Sequence, residues 1–545
     1  MQLSRRRFLA LSASVTLVAC AGSDSDTAPA TTDGDAPPEP TDPPATEPSD
    51  TGPPATEPAP TTNDTTTTDT VVDDEPDSPF AADPFVHGVG SGDPDATSVV
   101  LWTRLGGDLP DGDIDVDWFA TTDDGDTVAG TAVTNAGLGY SVHVVADISG
   151  SAEYRFEVPG WTSPTGRTSP LAGDPSEFRI ATASCQHYET GFYAAHRDIA
   201  EWQPDLVLFL GDFMYEGDPR TDDGSGVIVR SHENPEPMDV DGYRIRYSTY
   251  LGDPDLQASR ASAPWLVIWD DHEVENNYAG LVSQVDDEPD QDPAVFGVRR
   301  NAAYRAWWEN QPTRLPMPEL DRDPTAPYPI HRGLDIGGLL RISALDGRQF
   351  RDDQVSDVTL DTGPPAAGWD DPARSILGAE QEAWIAERFA TSPATWNCVA
   401  QQTILSDTRL PGGAIFNYDQ WDGYHPARER LLAGAPANFV TVTGDIHLAG
   451  VGMVGRSGET VGIEFVTTSI SSVANVDPAL AEVVLSIPSI VDADLVGRGY
   501  TRHTVTPEAW TAEYRSVDVV GDADSPVSTW KTFRVDAGVV GVTEA

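Results

Sequence analysis

Four stretches of the chain end in side chains that bind cations or move protons: Ser184-Cys185, Gly211-Asp212 with Tyr215, Asp270-Asp271-His272-Glu273 with Asn276 and Asn277, and Gly444-Asp445-Ile446-His447. Each follows a run of apolar, β-prone residues: FRIATA, LVLFL, WLVIW and FVTVT. An apolar run that stops at a ligand-type residue is how a buried strand delivers a side chain to a site. Chance supplies one or two such stops, but four suggest strand ends converging on one metal site. A carboxylate such as Asp212 can bridge two cations, and the phenolate of Tyr215 is a hard anionic ligand suited to a ferric ion. Carboxylates with neutral Asn oxygens suit a hard cation such as Ca²⁺.

Adjacent acids at Asp270, Asp271 and Glu273 repel one another unless a cation or an Arg lies among them. Alternation along the chain keeps all of them from facing inward. The expectation is therefore Asp271 as ligand, His272 as acid or hydrogen-bond donor, and Asn277 as a further ligand. Asp445 and His447, two residues apart, face one side in an extended turn and so serve adjacent metals. Arg348, in DGRQFRDDQ, is expected to pair with a neighbouring Asp rather than with phosphate. His87 and His143 have no companions at ligand spacing and read as structural. Of three cysteines, Cys20 sits in an N-terminal leader, leaving Cys185 and Cys398. Two readings stay open: a disulfide between them, or a Cys185 thiolate ligand with Cys398 as a buried apolar residue.

Residues 173–545 alternate strands with helices near Gly191–Trp202, Pro254–Ala261, Val295–Asn310, Ala379–Phe389 and Pro426–Ala433, an α/β pattern. Glu216 to Asp241, rich in Gly, Pro and Asp, is expected as a surface loop over the strand ends. Residues 81–172 read as all-β, with short alternating runs such as SVVLWTRL and EYRFEV, which predicts a small immunoglobulin-like sandwich. WTSPTGRTSPLAGDPS then reads as a linker. Residues 21–80 are Thr-, Pro- and Asp-rich without Lys or Arg, an extended tether. Residues 1–20 carry Arg5-Arg6-Arg7-Phe8-Leu9 before a short apolar run and end in Leu17-Val18-Ala19-Cys20, which predicts twin-arginine export and lipidation of Cys20 on the outer face of the membrane, or plain secretion. A formal charge of -55, with Lys531 as the single lysine, argues against sequence-independent binding to nucleic acid.

The motifs FVHGVGSGDPDATSVVLWTRL, ATASCQ, FLGDFMYEG, WDDHEVENNY, LDGRQFRDDQ, WNCVAQQ, WDGY, VTGDIHLAG and EFVTTSISS together resemble the PhoD-like alkaline phosphatases, a branch of the calcineurin-like metallophosphatases. The resemblance implies a four-layer α/β sandwich of two sheets flanked by helices, behind the N-terminal β-sandwich. It also implies Fe³⁺ and Ca²⁺ as cofactors. Carried over, Cys185, Asp212, Tyr215 and His447 hold iron, Asp212 bridges, and Asp271, Asp445 and Asn277 serve calcium. The implied activity is hydrolysis of small phosphate mono- and diesters, and the chain is separately expected to be a monomer. A metal-activated water attacks phosphorus, Asp212 anchors the metals and His272 protonates the leaving oxygen. A phospholipase-D-like diesterase and a non-catalytic metal-stabilised surface binding protein are the competing readings.

Overall fold

Strands that are apolar on both faces need cover on both sides, and two sheets packed face to face supply half of it. The computed structural model describes residues 78–220, 227–284, 289–356, 363–410 and 412–545. The leader and nearly all of the tether lie outside the described residues. One sheet of ten strands runs through Thr543–Glu544, Val527–Asp536, Ala509–Val517, Arg498–Val505, Phe178–Ala183, Leu206–Phe209, Pro264–Val267, Val89–Gly92, Ser98–Arg104 and Ser141–Asp147. The second, of seven strands, runs through Arg332–Ile336, Leu340–Ala344, Trp396–Ala400, Phe439–Thr443, Glu459–Val466, Ala449–Arg456 and Ile490–Asp494.

The centres of both sheets are parallel, at Phe178–Ala183, Leu206–Phe209 and Pro264–Val267 in one and from Leu340–Ala344 to Glu459–Val466 in the other. Parallel neighbours require crossovers, supplied by the helices Ala194–Trp202, Val240–Leu251, Pro254–Ser262, Gly378–Ala390 and His425–Leu432. A single core joins the sheets through residues such as Ile180, Leu208, Ile342, Val440 and Phe465, and a separate cluster around Ile385, Val399 and Leu431 seats the helices of the second sheet. The result is the expected helix, sheet, sheet, helix layering.

Two helices begin where an Asp-Pro pair says they should. Asp253 accepts the N–H groups of Asp255 and Leu256 at 2.9 and 3.1 Å, and Asp292 accepts that of Ala294 at 2.8 Å, with proline in the first turn of each helix. Three findings differ from expectation. The strands Val89–Gly92, Ser98–Arg104 and Ser141–Asp147 continue the ten-stranded sheet, so one layer of the N-terminal sandwich is the edge of the larger sheet; this pairing uses edge groups of Pro264–Val267 that would otherwise be exposed. The other layer is a five-stranded sheet that includes Ile114–Thr122 and Ala152–Val158, packed on a shared core of Leu101, Val116, Tyr154 and Phe156. The supposed linker adds the short strands Trp161–Thr162 and Gly166–Thr168 to that sheet. Third, the helix Val240–Leu251 follows the acidic insert. Its buried positions Tyr243, Arg246, Tyr247 and Tyr250 are polar-tipped, which hid the apolar periodicity.

Candidate metal centre

Every predicted ligand leaves the C-terminal end of a strand, and the backbone bends sharply there. Cys185, Asp212, Asn277, Asp445 and His447 have φ of 58°, 56°, 58°, 62° and 55°, five of the ten non-glycine residues with positive φ among those described. Each such residue costs on the order of 1–3 kcal/mol, and that strain gathers where a site must hold side chains against the chain's preference. Two glycines permit the close approach of the turns. A Cβ on Gly211 would lie 2.4 Å from Asp270 Cβ, and one on Gly444 2.5 Å from Ser184 Oγ. The first turn pair lies within one sheet, while the second spans both.

A thiol sulfur of Cys185, a carboxylate oxygen of Asp212 and a ring nitrogen of His447 lie within 4.8 Å of one another, all buried. Tyr215 Oη joins them, 2.9 Å from Asp212 Oδ2 and 3.1 Å from His447 Nε2. His447 Nδ1 is 2.6 Å from the Val473 carbonyl, so it carries the ring proton and leaves a lone pair on Nε2. The phenol has one proton for two acceptors, and Asp212 Oδ1 is buried with no hydrogen-bond partner. Burial, reinforced by the neighbouring acids Asp271, Glu273 and Asp445, pushes the Asp212 pKa well above the usual carboxylate range. Burial thus disfavours the carboxylate unless a cation offsets its charge, and a cation of borderline or ferric type fits this set of thiol, carboxylate, phenol and imidazole donors. Cys185 and Cys398 are both free and buried, which rules out the disulfide reading. Cys398 sits in the strand Trp396–Ala400 within the core.

A second group, Asp270, Asp271 and Asp445, adjoins the first. Arg348 lies among them, fully buried. Its Nε bonds Asp270 Oδ1, its Nη1 reaches Asp419 Oδ1 at 2.9 Å, and its Nη2 lies 3.2 Å from Asp445 Oδ1 and 3.4 Å from Asp271 Oδ1. The expected salt bridge is therefore a pairing with four carboxylates. Burial would lift the pKa of Asp271, but Arg348 and His272 bring it down to about 2; Asp445, though also facing Arg348, is raised by burial to about 6. Asp270 turns one oxygen to Arg348 and leaves Oδ2 unpartnered. It is Asn277's backbone that is tied to the site, its N–H donating to Asp271 Oδ2 at 2.6 Å. Oxygen donors on Asp212, Asp271 and Asp445 fit a hard cation beside the first site.

His272 is 9% exposed, and a ring nitrogen of it lies within 4.8 Å of carboxylate oxygens of Asp212 and Asp271. Its Nδ1 is 2.7 Å from Glu216 Oε2, and its ring packs on Tyr215 at 4.1 Å. Burial alone would lower its pKa, but Glu216, Asp212 and Asp271 outweigh burial and hold it well above the usual imidazole value, so the ring is a cationic donor. Sequence reasoning missed Glu216, which it placed at the start of a surface loop. The residue is buried and also accepts the Asn276 N–H at 2.8 Å. Also missed was Glu273 as a brace: its two oxygens accept the N–H groups of Asp212, Phe213 and Asp270 at 3.0, 2.6 and 2.8 Å, locking two of the turns. Gln420 on Asp445 Oδ2 and Ser472 on Tyr215 Oη complete the surroundings. Glu216 within FLGDFMYEG, Glu273 within WDDHEVENNY and Ser472 within EFVTTSISS lay in motifs the sequence displays, whereas Gln420 carried no local signal.

Residues 180–514 match the family described as PhoD-like phosphatase, and residues 70–172 match its N-terminal domain. The chain is 36% identical over 482 residues to alkaline phosphatase D of Bacillus subtilis (strain 168), covering 83% of this chain and 81% of that protein. A solved structure titled "Structure of PhoD" superimposes with a TM-score of 0.79 at 35% identity, over 85% of this chain and 92% of the other.

Proposed function

The chain belongs to the PhoD-like phosphatase family and is a phosphoric ester hydrolase; from that premise we propose that it is an exported, lipid-tethered enzyme that releases phosphate from small organic mono- and diesters at the Asp212 centre. The observation that carries the reading is the buried meeting of Cys185, Asp212, Tyr215 and His447 beside the Asp271–Asp445 group. Cys185, Asp212, Tyr215 and His447 would hold Fe³⁺. Asp212, Asp271 and Asp445, with Asn277, would hold Ca²⁺. Two such cations, when bound, neutralise the phosphoryl oxygens and acidify a water for in-line attack on phosphorus.

The protein's own groups do the rest. His272 donates a proton to the leaving oxygen, and Glu216, on its Nδ1, fixes the ring so that Nε2 is the donating atom. Arg348 holds Asp271 and Asp445 ionised and in place from a position with no solvent exposure, so it acts on the acids and not on substrate. Glu273 keeps the Asp212 and Asp270 turns in register. Export rests on the leader at residues 1–20 and the tether at 21–80; among the described residues no helix is long and apolar enough to cross a membrane. Membership of a hydrolase family weighs against a purely binding role. The test is a rate comparison, on protein loaded with Fe³⁺ and Ca²⁺, between a phosphate monoester, a diester and phosphatidylcholine. Hydrolysis of the small esters is expected, and cleavage of the lipid alone would transfer the assignment to a phospholipase-D-like diesterase.

A further inference from the structure

We infer that Ser472 is a positioning residue for Tyr215, its hydroxyl serving as a hydrogen-bond donor to the phenol oxygen when that oxygen ligates a cation. The inference rests on the reading of Tyr215 as a ferric ligand. Ser472 is 2% exposed, and its Oγ lies 2.8 Å from Tyr215 Oη and 2.7 Å from the Cys185 carbonyl oxygen. The same oxygen accepts the His187 N–H at 3.2 Å. Ser472 therefore has one proton and two acceptors within reach.

The Cys185 carbonyl does not depend on that proton, because it already receives the N–H groups of Ser471 at 3.4 Å and Ser472 at 3.3 Å. Tyr215 is the acceptor whose need changes. With its own proton in place it donates to Asp212 or His447; with a cation seated in the Cys185, Asp212 and His447 group, the phenol would release that proton to solvent and Oη would turn from donor to acceptor. Ser472 then supplies a proton without any movement of its backbone, only a turn about its Cβ–Oγ bond. The serine is held for this. Ile470 N–H bonds the Ser184 carbonyl at 2.9 Å, Ser471 Oγ bonds the His187 carbonyl at 2.8 Å and Ser469 Oγ bonds the Ser472 carbonyl at 2.8 Å, clamping residues 469–472 onto residues 184–187. A donor of this kind withdraws electron density from the ligand oxygen and tunes the bond it makes.

The experiment loads the full protein, Ser472→Ala, Ser472→Thr, Ser472→Cys and Tyr215→Phe with Fe³⁺ and records the visible absorption and the ferric affinity. The parent should show phenolate and thiolate charge-transfer absorption, of which Tyr215→Phe removes the phenolate band and leaves the part due to Cys185. Ser472→Ala should keep the phenolate band but shift it to longer wavelength, since an undonated phenolate gives up electron density more readily, and should weaken ferric binding about tenfold, because without the donor the phenol holds its proton more strongly against the cation. Ser472→Thr, which retains the hydroxyl, should return the band to the parent's position. Ser472→Cys, close in size with a much weaker donor, should shift it as alanine does and covers the case in which alanine destabilises the turn. A band and affinity unchanged in both Ser472→Ala and Ser472→Cys would overturn the role of Ser472 alone. A visible spectrum unchanged in Tyr215→Phe would overturn the reading of Tyr215, and the inference with it.

Discussion

Replacing Arg348 with methionine removes a guanidinium from a place that bulk solvent does not reach. Arg348 has no solvent exposure and touches Asp270, Asp271, Asp419 and Asp445, with Nη1 and Nη2 contacts of 2.9 to 3.4 Å. Burial alone would lower its pKa; the four carboxylates outweigh burial and hold it well above the usual guanidinium value. Methionine keeps much of the volume, so packing contributes little. The uncompensated charge dominates, and deleting one partner of a buried ion pair costs about 3–5 kcal/mol. The variant in chelator should therefore unfold at a lower urea concentration, by an amount equivalent to about 3–5 kcal/mol. Ca²⁺ held by Asp271 and Asp445, as proposed above, would replace part of the missing charge, so added Ca²⁺ should stabilise the variant more than the parent. Urea titrations followed by tryptophan fluorescence, in chelator and in Ca²⁺, measure both quantities. Equal midpoints in chelator, or an equal gain from Ca²⁺, would show that the guanidinium is not what balances these acids.

Asp212→Asn keeps the shape but removes the charge that both cation sites share; it should lose bound metal of both kinds and on the order of 10²-fold or more in kcat, read by metal analysis and ester hydrolysis. Tyr215→Phe in the same assays should chiefly lower iron content and leave calcium near the parent's level. His272→Ala should lower kcat about 10²–10⁴-fold on alkyl phosphates, whose leaving oxygen needs a proton, and far less on 4-nitrophenyl phosphate; equal losses on both would remove His272 from the acid role. Glu216→Gln should show the same leaving-group pattern in weaker form, because the ring loses its anchor rather than its proton donor. Raising salt from about 0.1 M to about 1 M shortens the screening length from roughly 10 Å to roughly 3 Å. With a formal charge of -55, the melting temperature should rise, and a fall would mean that surface pairs such as Arg341–Asp335 outweigh self-repulsion.

The strand-end clusters were legible because their signal is local. An apolar run, a turn and a ligand-type residue lie within ten positions, as in LVLFLGDFMY, and the Asp-Pro starts of two helices are shorter still. The family motifs extended this to the layering of the sheets. The helix Val240–Leu251 was lost because its buried side is built from Tyr and Arg, which bury with their polar tips bonded: Arg246 spends its guanidinium on the carbonyls of Tyr215, Glu216 and Gly217. The break between the N-terminal sandwich and the rest was overdrawn because strand pairing across the two parts joins residues such as Gly92 and Trp265, which no local pattern links.

By itself the sequence determined which residue types end the strands and hence the class of chemistry, since residue identity and strand period are properties of short segments. Only the tertiary structure decided which groups serve those ligands. Glu216 meets His272 across 56 positions, Arg348 meets Asp445 across 97, and Ser472 meets Tyr215 across 257. The first two pairs follow strands of one sheet and the third follows strands of different sheets, so each contact exists only once those strands have paired or those sheets have packed, and nothing in either segment alone announces it.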